Sequence, residues 1–124
     1  MQIEIKNWLD QAKKDLNAAR HSLNSKNFDW ASFQAQQAAE KALKALYIKT
    51  YNELRKVHDL VLLARKLGLP TDLIEFCVKL NKVYIETRYP DASGIIPALK
   101  FSYADGQKSI EMASNLLQWI EKQL

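Results

Sequence analysis

The chain has 124 residues, of which 48% are hydrophobic and 26% charged. That is the size and balance of one globular domain, and it excludes a disordered chain. Eighteen Lys and Arg against 14 Asp and Glu leave a net charge of +4, an excess that favours anionic partners without naming one.

Helical periodicity runs through every long segment, and Gly and Pro are confined almost entirely to Gly68 with Pro70 and to the stretch from Pro90 to Pro97. In the first segment Ile5, Trp8, Leu9, Ala12, Leu16, Ala19 and Leu23 project within about 100° of arc, with Lys6, Asp10, Lys13, Asn17 and His21 opposite. This predicts a surface helix over residues 3–24. After Ser25-Lys26-Asn27 a second helix is expected from Phe28 to Tyr51, with Asn27 or Asp29 as its N-cap. One of its stripes is small (Ala31, Ala35, Ala38, Ala42, Ala45 and Leu46) and invites close approach of a neighbour. Its second stripe mixes apolar with polar residues: Trp30, Phe33, Gln37, Lys41, Lys44 and Ile48.

A short third helix is bounded by the cap residues His58 and Asp59 and by Gly68, with Pro70 beyond it. The fourth should open at Thr71 or Asp72, with Asp72 and Glu75 at capping-box spacing. It should bury Leu73, Phe76, Cys77, Leu80, Val83 and Tyr84, and stop near Arg88 ahead of Pro90. Tyr89 to Phe101 reads as a loop pinned by Ile95, Ile96 and Leu99. Ser102 and Asp105 then box the start of a last helix whose Ile110, Ala113, Leu116, Leu117, Ile120 and Leu124 share a face, with Met112 and Trp119 off it. No repeat or linker divides the chain. The expected architecture over residues 1–124 is a single all-α domain: an antiparallel, up-and-down bundle of four long helices with one additional short helix.

Compartment follows from smaller signals. Cys77 is the single cysteine and sits among Leu73, Ile74, Phe76 and Leu80, so a buried thiol in a reducing compartment is expected. Met1 to Trp8 carries Glu4 and Lys6 and lacks the apolar run of a signal peptide, and no window approaches the ~18 apolar residues of a spanning helix. A cytoplasmic protein is expected, without membrane association.

The motifs missing from the chain exclude most enzyme classes. There is no Walker-type loop, no G-x-G-x-x-G and no G-x-S-x-G, and the chain holds only three Gly. One Cys and two His in different segments cannot form a structural zinc site, and no Glu-x-x-His pair of the di-iron type occurs, so no metal or cofactor is expected.

Three stretches carry a resemblance: Gln36-Gln-Ala-Ala-Glu-Lys-Ala-Leu-Lys-Ala45 in the second helix, His58-Asp59-Leu60 before the third, and Arg88-Tyr89-Pro90-Asp91 after the fourth. In this order, and with this sequence of helices, the chain resembles the HEPN family over essentially its whole length. The resemblance implies a helical bundle that commonly dimerises. It also implies an association with nucleotides or RNA, and often pairing with a minimal nucleotidyltransferase in toxin–antitoxin-like systems. Its ribonuclease branch has an Arg followed four to six residues later by a His, and here the chain departs: Arg20 directly precedes His21, Arg55 lies three residues before His58, and no His follows Arg65 or Arg88.

The reading is therefore a non-catalytic module that binds a nucleotide, RNA or a nucleotidyltransferase partner through Gln37, Lys41, Lys44, His58, Arg88 and Tyr89. Amide, ammonium and guanidinium donors beside aromatic faces suit phosphate and base. Each group has a plain structural role as well: Glu40 and Lys44 at i,i+4 spacing pair on a helix, His58 caps a helix start, and Arg88 satisfies a helix end. Two alternatives stay open, a metal-independent ribonuclease using His58 as base and Arg88 as charge stabiliser and a purely structural assembly subunit. Surplus aromatic surface at Trp30, Phe33, Met112 and Trp119 predicts a two-fold homodimer.

Overall fold

A computed structural model describes residues 2–90 and 94–124. Met1, Asp91 of the Arg88–Asp91 motif, and Ala92 and Ser93 of the 89–101 stretch lie outside the described residues. Among the described residues six α-helices follow in order: α1 (Ile3–Asn24), α2 (Phe28–Tyr51), α3 (Leu60–Lys66), α4 (Thr71–Arg88), α5 (Pro97–Lys100) and α6 (Tyr103–Gln123). Among the described residues there is no strand, and no helix is long and apolar enough to cross a membrane. The fold is all-α.

Helix α2 lies at the centre, packed against α1, α4 and α6. Its alanine stripe, Ala31, Ala35, Ala38, Ala42 and Ala45, is wholly buried. With so little side-chain volume at these positions, neighbouring helices can approach at the short end of the ~8–10 Å interaxial range. The predicted face of α1 is buried through Ile5, Leu9, Ala12, Leu16, Ala19 and Leu23. Gly106 of α6 marks a close approach, since a Cβ there would stand 2.9 Å from Cδ1 of Leu23 and 3.5 Å from Cβ of Ala31.

Local chemistry sets the boundaries. Asp59 caps α3 by accepting from the backbone N–H of Val61 and Leu62. Gly68, at φ +72°, ends that helix with a Schellman pair in which Gly68 N donates to Arg65 O and Leu69 N to Ala64 O. Ser102 and Asp105 form a reciprocal capping box at the start of α6.

Four expectations are corrected. Helix α4 starts without a side-chain cap: Pro70 occupies the cap position, and Asp72 makes no box with Glu75. Residues 97–100 form a helical turn instead of loop, because Pro97 is pre-set for a first helical position. That segment is held by buried Pro97 and Phe101, whereas Ile95, Ile96 and Leu99 are exposed. Met112 is only 5% exposed and belongs to the core, so it offers no surface to a second copy. The buried arc of α6 is wider than one stripe because the helix packs against α1, α2 and α4 together.

Candidate functional site

A polar line winds along α2 between its apolar stripes. Ser32, Gln36, Glu40 and Lys44, each four residues after the last, are all buried. Buried polar groups need partners, and most of these find them in one another. The Nε2 of Gln37 donates to Oε1 of Gln36 at 2.7 Å, Nε2 of Gln36 approaches Oε1 of Glu40 at 3.5 Å, and Nζ of Lys44 donates to Oε2 of Glu40 at 3.0 Å. The Lys44 ammonium also lies 5.6 Å from the ring centroid of Trp8, a cation–π contact that helps hold a buried charge. Only the Ser32 hydroxyl lacks a hydrogen-bond partner among the buried side chains described.

Glu40 is the hub. Its side chain is 4% exposed, yet Nδ1 of His58 meets both its oxygens, at 2.9 and 3.1 Å, while the His58 side chain stays 57% exposed. A carboxylate against Nδ1 orients the imidazole and leaves Nε2 as its outward nitrogen. The position of His58 is set by the residues after it. Asp59 receives a hydrogen bond from Nδ2 of Asn81 at 2.9 Å, and Oδ1 of Asn81 accepts from Leu60 N at 2.9 Å, clamping the start of α3 onto α4. The amide of Asn81, followed by the N–H groups of Leu62 and Val61, holds the Asp59 carboxyl below its usual range despite partial desolvation.

On its other side His58 stacks on Tyr84, with ring centroids 4.9 Å apart and planes at 21°. The guanidinium of Arg88 lies 5.3 Å from the same Tyr84 ring and donates from Nη1 to the Tyr84 hydroxyl at 3.1 Å. Phe33 continues the aromatic row at 6.4 Å from Tyr84, and Trp30 meets Phe33 edge-on at 5.9 Å. Trp30, Phe33, Thr87, Arg88 and Asp29 line a cleft of about 380 Å³ between α2 and α4, inside the ~300–1,000 Å³ range of small-molecule sites.

His58, Arg88, Phe33 and Trp30 are thus gathered on one seam, and Gln37 borders it through Gln36. Tyr89 is exposed beyond the end of α4. Lys41 and Lys44 do not present free ammonium groups there. Lys41 pairs with Asp15 of α1 at 2.5 Å, and Lys44 is buried against Glu40. Trp119 is half-buried against the core near the far end of α6. Sequence reasoning misses two important residues. Glu40 reads as an ordinary helix ion pair, although its place in the i,i+4 series with Ser32, Gln36 and Lys44 is a signal. Tyr84 reads as core, although Arg88 four residues on marks it as a stacking platform. Among the described residues no group of three or more His, Cys, Asp and Glu could hold a metal ion.

The model of the HEPN domain matches residues 5–123. The chain belongs to the HEPN family. Solved structures agree with this assignment. TT1696 of Thermus thermophilus superposes with a TM-score of 0.94 at 34% identity, covering 99% of this chain and 100% of that one. The archaeal HEPN homologue ST0689 gives 0.84 at 29% identity, with 96% of each chain covered. An HEPN domain protein of Thermotoga maritima gives 0.75 at 25% identity, covering 94% of this chain and 96% of that one. No curated protein matches the sequence. Within the HEPN bundle, the conjunction of Glu40, His58, Tyr84 and Arg88 ties the three sequence motifs together: one residue of the first, one of the second and one of the third meet around a tyrosine.

Proposed function

We propose that this HEPN protein is a binding module for nucleoside phosphates, taking the phosphate at Arg88 and the base against Trp30 and Phe33. The observation that carries the reading is the Arg88 guanidinium held by Tyr84 at the wall of the aromatic cleft. A guanidinium supplies paired donors to phosphate, and an exposed indole supplies a face for a base. The exposed edge of His58 adds a second donor when protonated. Equilibrium binding of nucleoside triphosphates and short RNAs, at low and moderate salt, tests this. Arg88→Ala should weaken binding at least about tenfold, in line with the ~1.5–3 kcal/mol of a charged hydrogen bond. Absence of binding at low salt, where phosphate contacts are strongest, would leave a protein partner such as a minimal nucleotidyltransferase as the occupant.

A second reading, metal-independent RNA cleavage with His58 as base and Arg88 as charge stabiliser, is favoured by one observation: Glu40 orients His58 as a carboxylate orients a catalytic imidazole. Purified protein should then degrade RNA in EDTA and His58→Ala should not. We also propose a homodimer that meets at the outer edge of Trp30, on the rim of the cleft, so that the cleft stays open in each copy and is presented twice across the two-fold axis. Trp30 is 57% exposed, and aromatic residues are enriched where protein interfaces bury surface.

A further inference from the structure

Helix α4 has a second flank, facing away from the Tyr84 cleft. There α4, α5 and α6 enclose a groove of about 300 Å³ rimmed by Lys79, Lys82, Lys100 and Lys108. Two acids share the groove and both are committed. Glu86 bridges Lys82 and Lys100, and Asp105 is held in the capping box with Ser102. Among the described residues Lys79 and Lys108 have no counter-ion, and both side chains are exposed. Elsewhere four lysines are spent on acidic partners: Lys6 on Asp10, Lys13 on Glu121, Lys41 on Asp15 and Lys44 on Glu40. Cations without a counter-ion occur elsewhere on the surface too, but here they border two concave sites on opposite flanks of one helix: Arg88 at the cleft, and Lys79 and Lys108 in the groove between α4 and α6. The exposed Val78, Ile85 and Tyr89 lie on α4 and at its end, outside the two sites.

We infer that the ligand is a single-stranded polynucleotide that crosses α4, one phosphate at Arg88 and following phosphates in the Lys79 and Lys108 groove. The inference rests on the nucleoside-phosphate reading of the cleft. A mononucleotide can fill the cleft but cannot reach past a helix that is roughly 10–12 Å across with its side chains. A strand of about 4–16 nucleotides, the usual span of such sites, can. Tyr89 and Ile85 on the ridge give the intervening bases an apolar surface, which every base can use irrespective of sequence.

The test is anisotropy with labelled oligouridylates and oligodeoxyuridylates of increasing length, with uridine monophosphate as competitor, on the full chain and on the double variant Lys79→Gln, Lys108→Gln. Both substitutions are at exposed positions, and an unchanged thermal melt verifies the fold. Affinity should rise with length up to about eight nucleotides. For the octamer the double variant should lose about tenfold at low salt, and its log–log salt slope should fall by about 1.4, two contacts at ~0.7 each. Its affinity for the mononucleotide should not change. The DNA arm distinguishes the source of the strand, and lysine-dependent binding of either series supports the inference. A wild-type octamer no tighter than the mononucleotide, or a double variant with the wild-type slope, overturns it and leaves the cleft reading intact. If the wild type binds neither, the cleft reading fails and the crossing strand with it.

Discussion

Replacing Lys44 by Met removes one charge from a pair that water does not reach. The two side chains are 8% and 4% exposed and their charged atoms lie 3.0 Å apart. Methionine keeps the length of the stem, so little cavity opens and the effect is mainly electrostatic. Breaking a buried pair by removing one partner costs about 3–5 kcal/mol, whereas an exposed i,i+4 pair is worth only ~0.3–0.5 kcal/mol. Glu40 retains Gln36 and the Nδ1 of His58, which places the expected loss near the lower bound, about 3 kcal/mol. For a chain of this size that is roughly a 10 °C fall in Tm. Urea titration of wild type, Lys44→Met, Glu40→Gln and the double variant gives the coupling directly. The double variant should recover most of the loss, because neutral residues of similar shape replace a buried pair at little cost. A single-variant loss below about 1 kcal/mol, the level of a solvated ion pair, would refute the claim that this pair is desolvated.

Other consequences are simpler to check. Asp59→Ala removes the α3 cap and the Asn81 clamp, and should cost about 1–2 kcal/mol by denaturant titration. Since the folded Asp59 carboxyl is held below its unfolded value, its contribution is present above about pH 4 and is lost as pH falls through the folded value. The acid limb of stability should therefore be shallower in Asp59→Ala than in wild type. Cys77 is buried, and desolvation, aided by the Asp59 carboxylate, pushes its thiol up to about 12; a disulfide reagent at pH 8 should label it only at the rate of opening. Trp30→Glu should give a folded monomer by sedimentation equilibrium if Trp30 lies at the two-fold interface, and a folded dimer would remove Trp30 from that interface.

The legible part of this molecule is what neighbouring residues decide among themselves. The 3.6-residue period locates α1 and α2 from Ile3 to Asn24 and from Phe28 to Tyr51. Asp59, Gly68 and the Ser102–Asp105 box mark ends whose hydrogen bonds span only a few residues. What escapes is decided across the bundle. Lys41 looks like a free cation because its counter-ion, Asp15, is 26 residues away on α1. Met112 looks peripheral because a single-stripe projection assumes one neighbour, and α6 has three long ones. The grouping of His58 with Arg88 follows from residue types alone. The residue joining them, Tyr84, is hidden because an aromatic on an amphipathic helix is ordinarily core. Pro97 looks like a breaker inside a loop, although it also starts a turn of helix well.

The buried carboxylate of Glu40 poses a question that stability alone does not answer. Desolvating a carboxylate and an ammonium costs about as much as their mutual attraction returns, so the pair adds little to the fold that apolar residues could not supply. An alanine-rich helix in a tight bundle has room for such residues at positions 36, 40 and 44. What apolar residues could not do is hold His58. Glu40 is reached by a donor from α2 itself, Lys44, and by His58 from the segment before α3, and His58 in turn stacks on Tyr84 of α4. The carboxylate thereby fixes the imidazole relative to Arg88, two groups whose parent segments have, among the described residues, no other polar connection through α2. Fold and site should therefore separate in the Glu40→Gln, Lys44→Met double variant. Its unfolding free energy should stay within about 1 kcal/mol of wild type. Its affinity for nucleoside phosphates should fall several-fold, because the charged anchor of His58 is gone while Arg88 is untouched. Wild-type affinity in a stable double variant would show that the cleft works without a fixed imidazole, and Arg88 with the aromatic row would then account for the whole site.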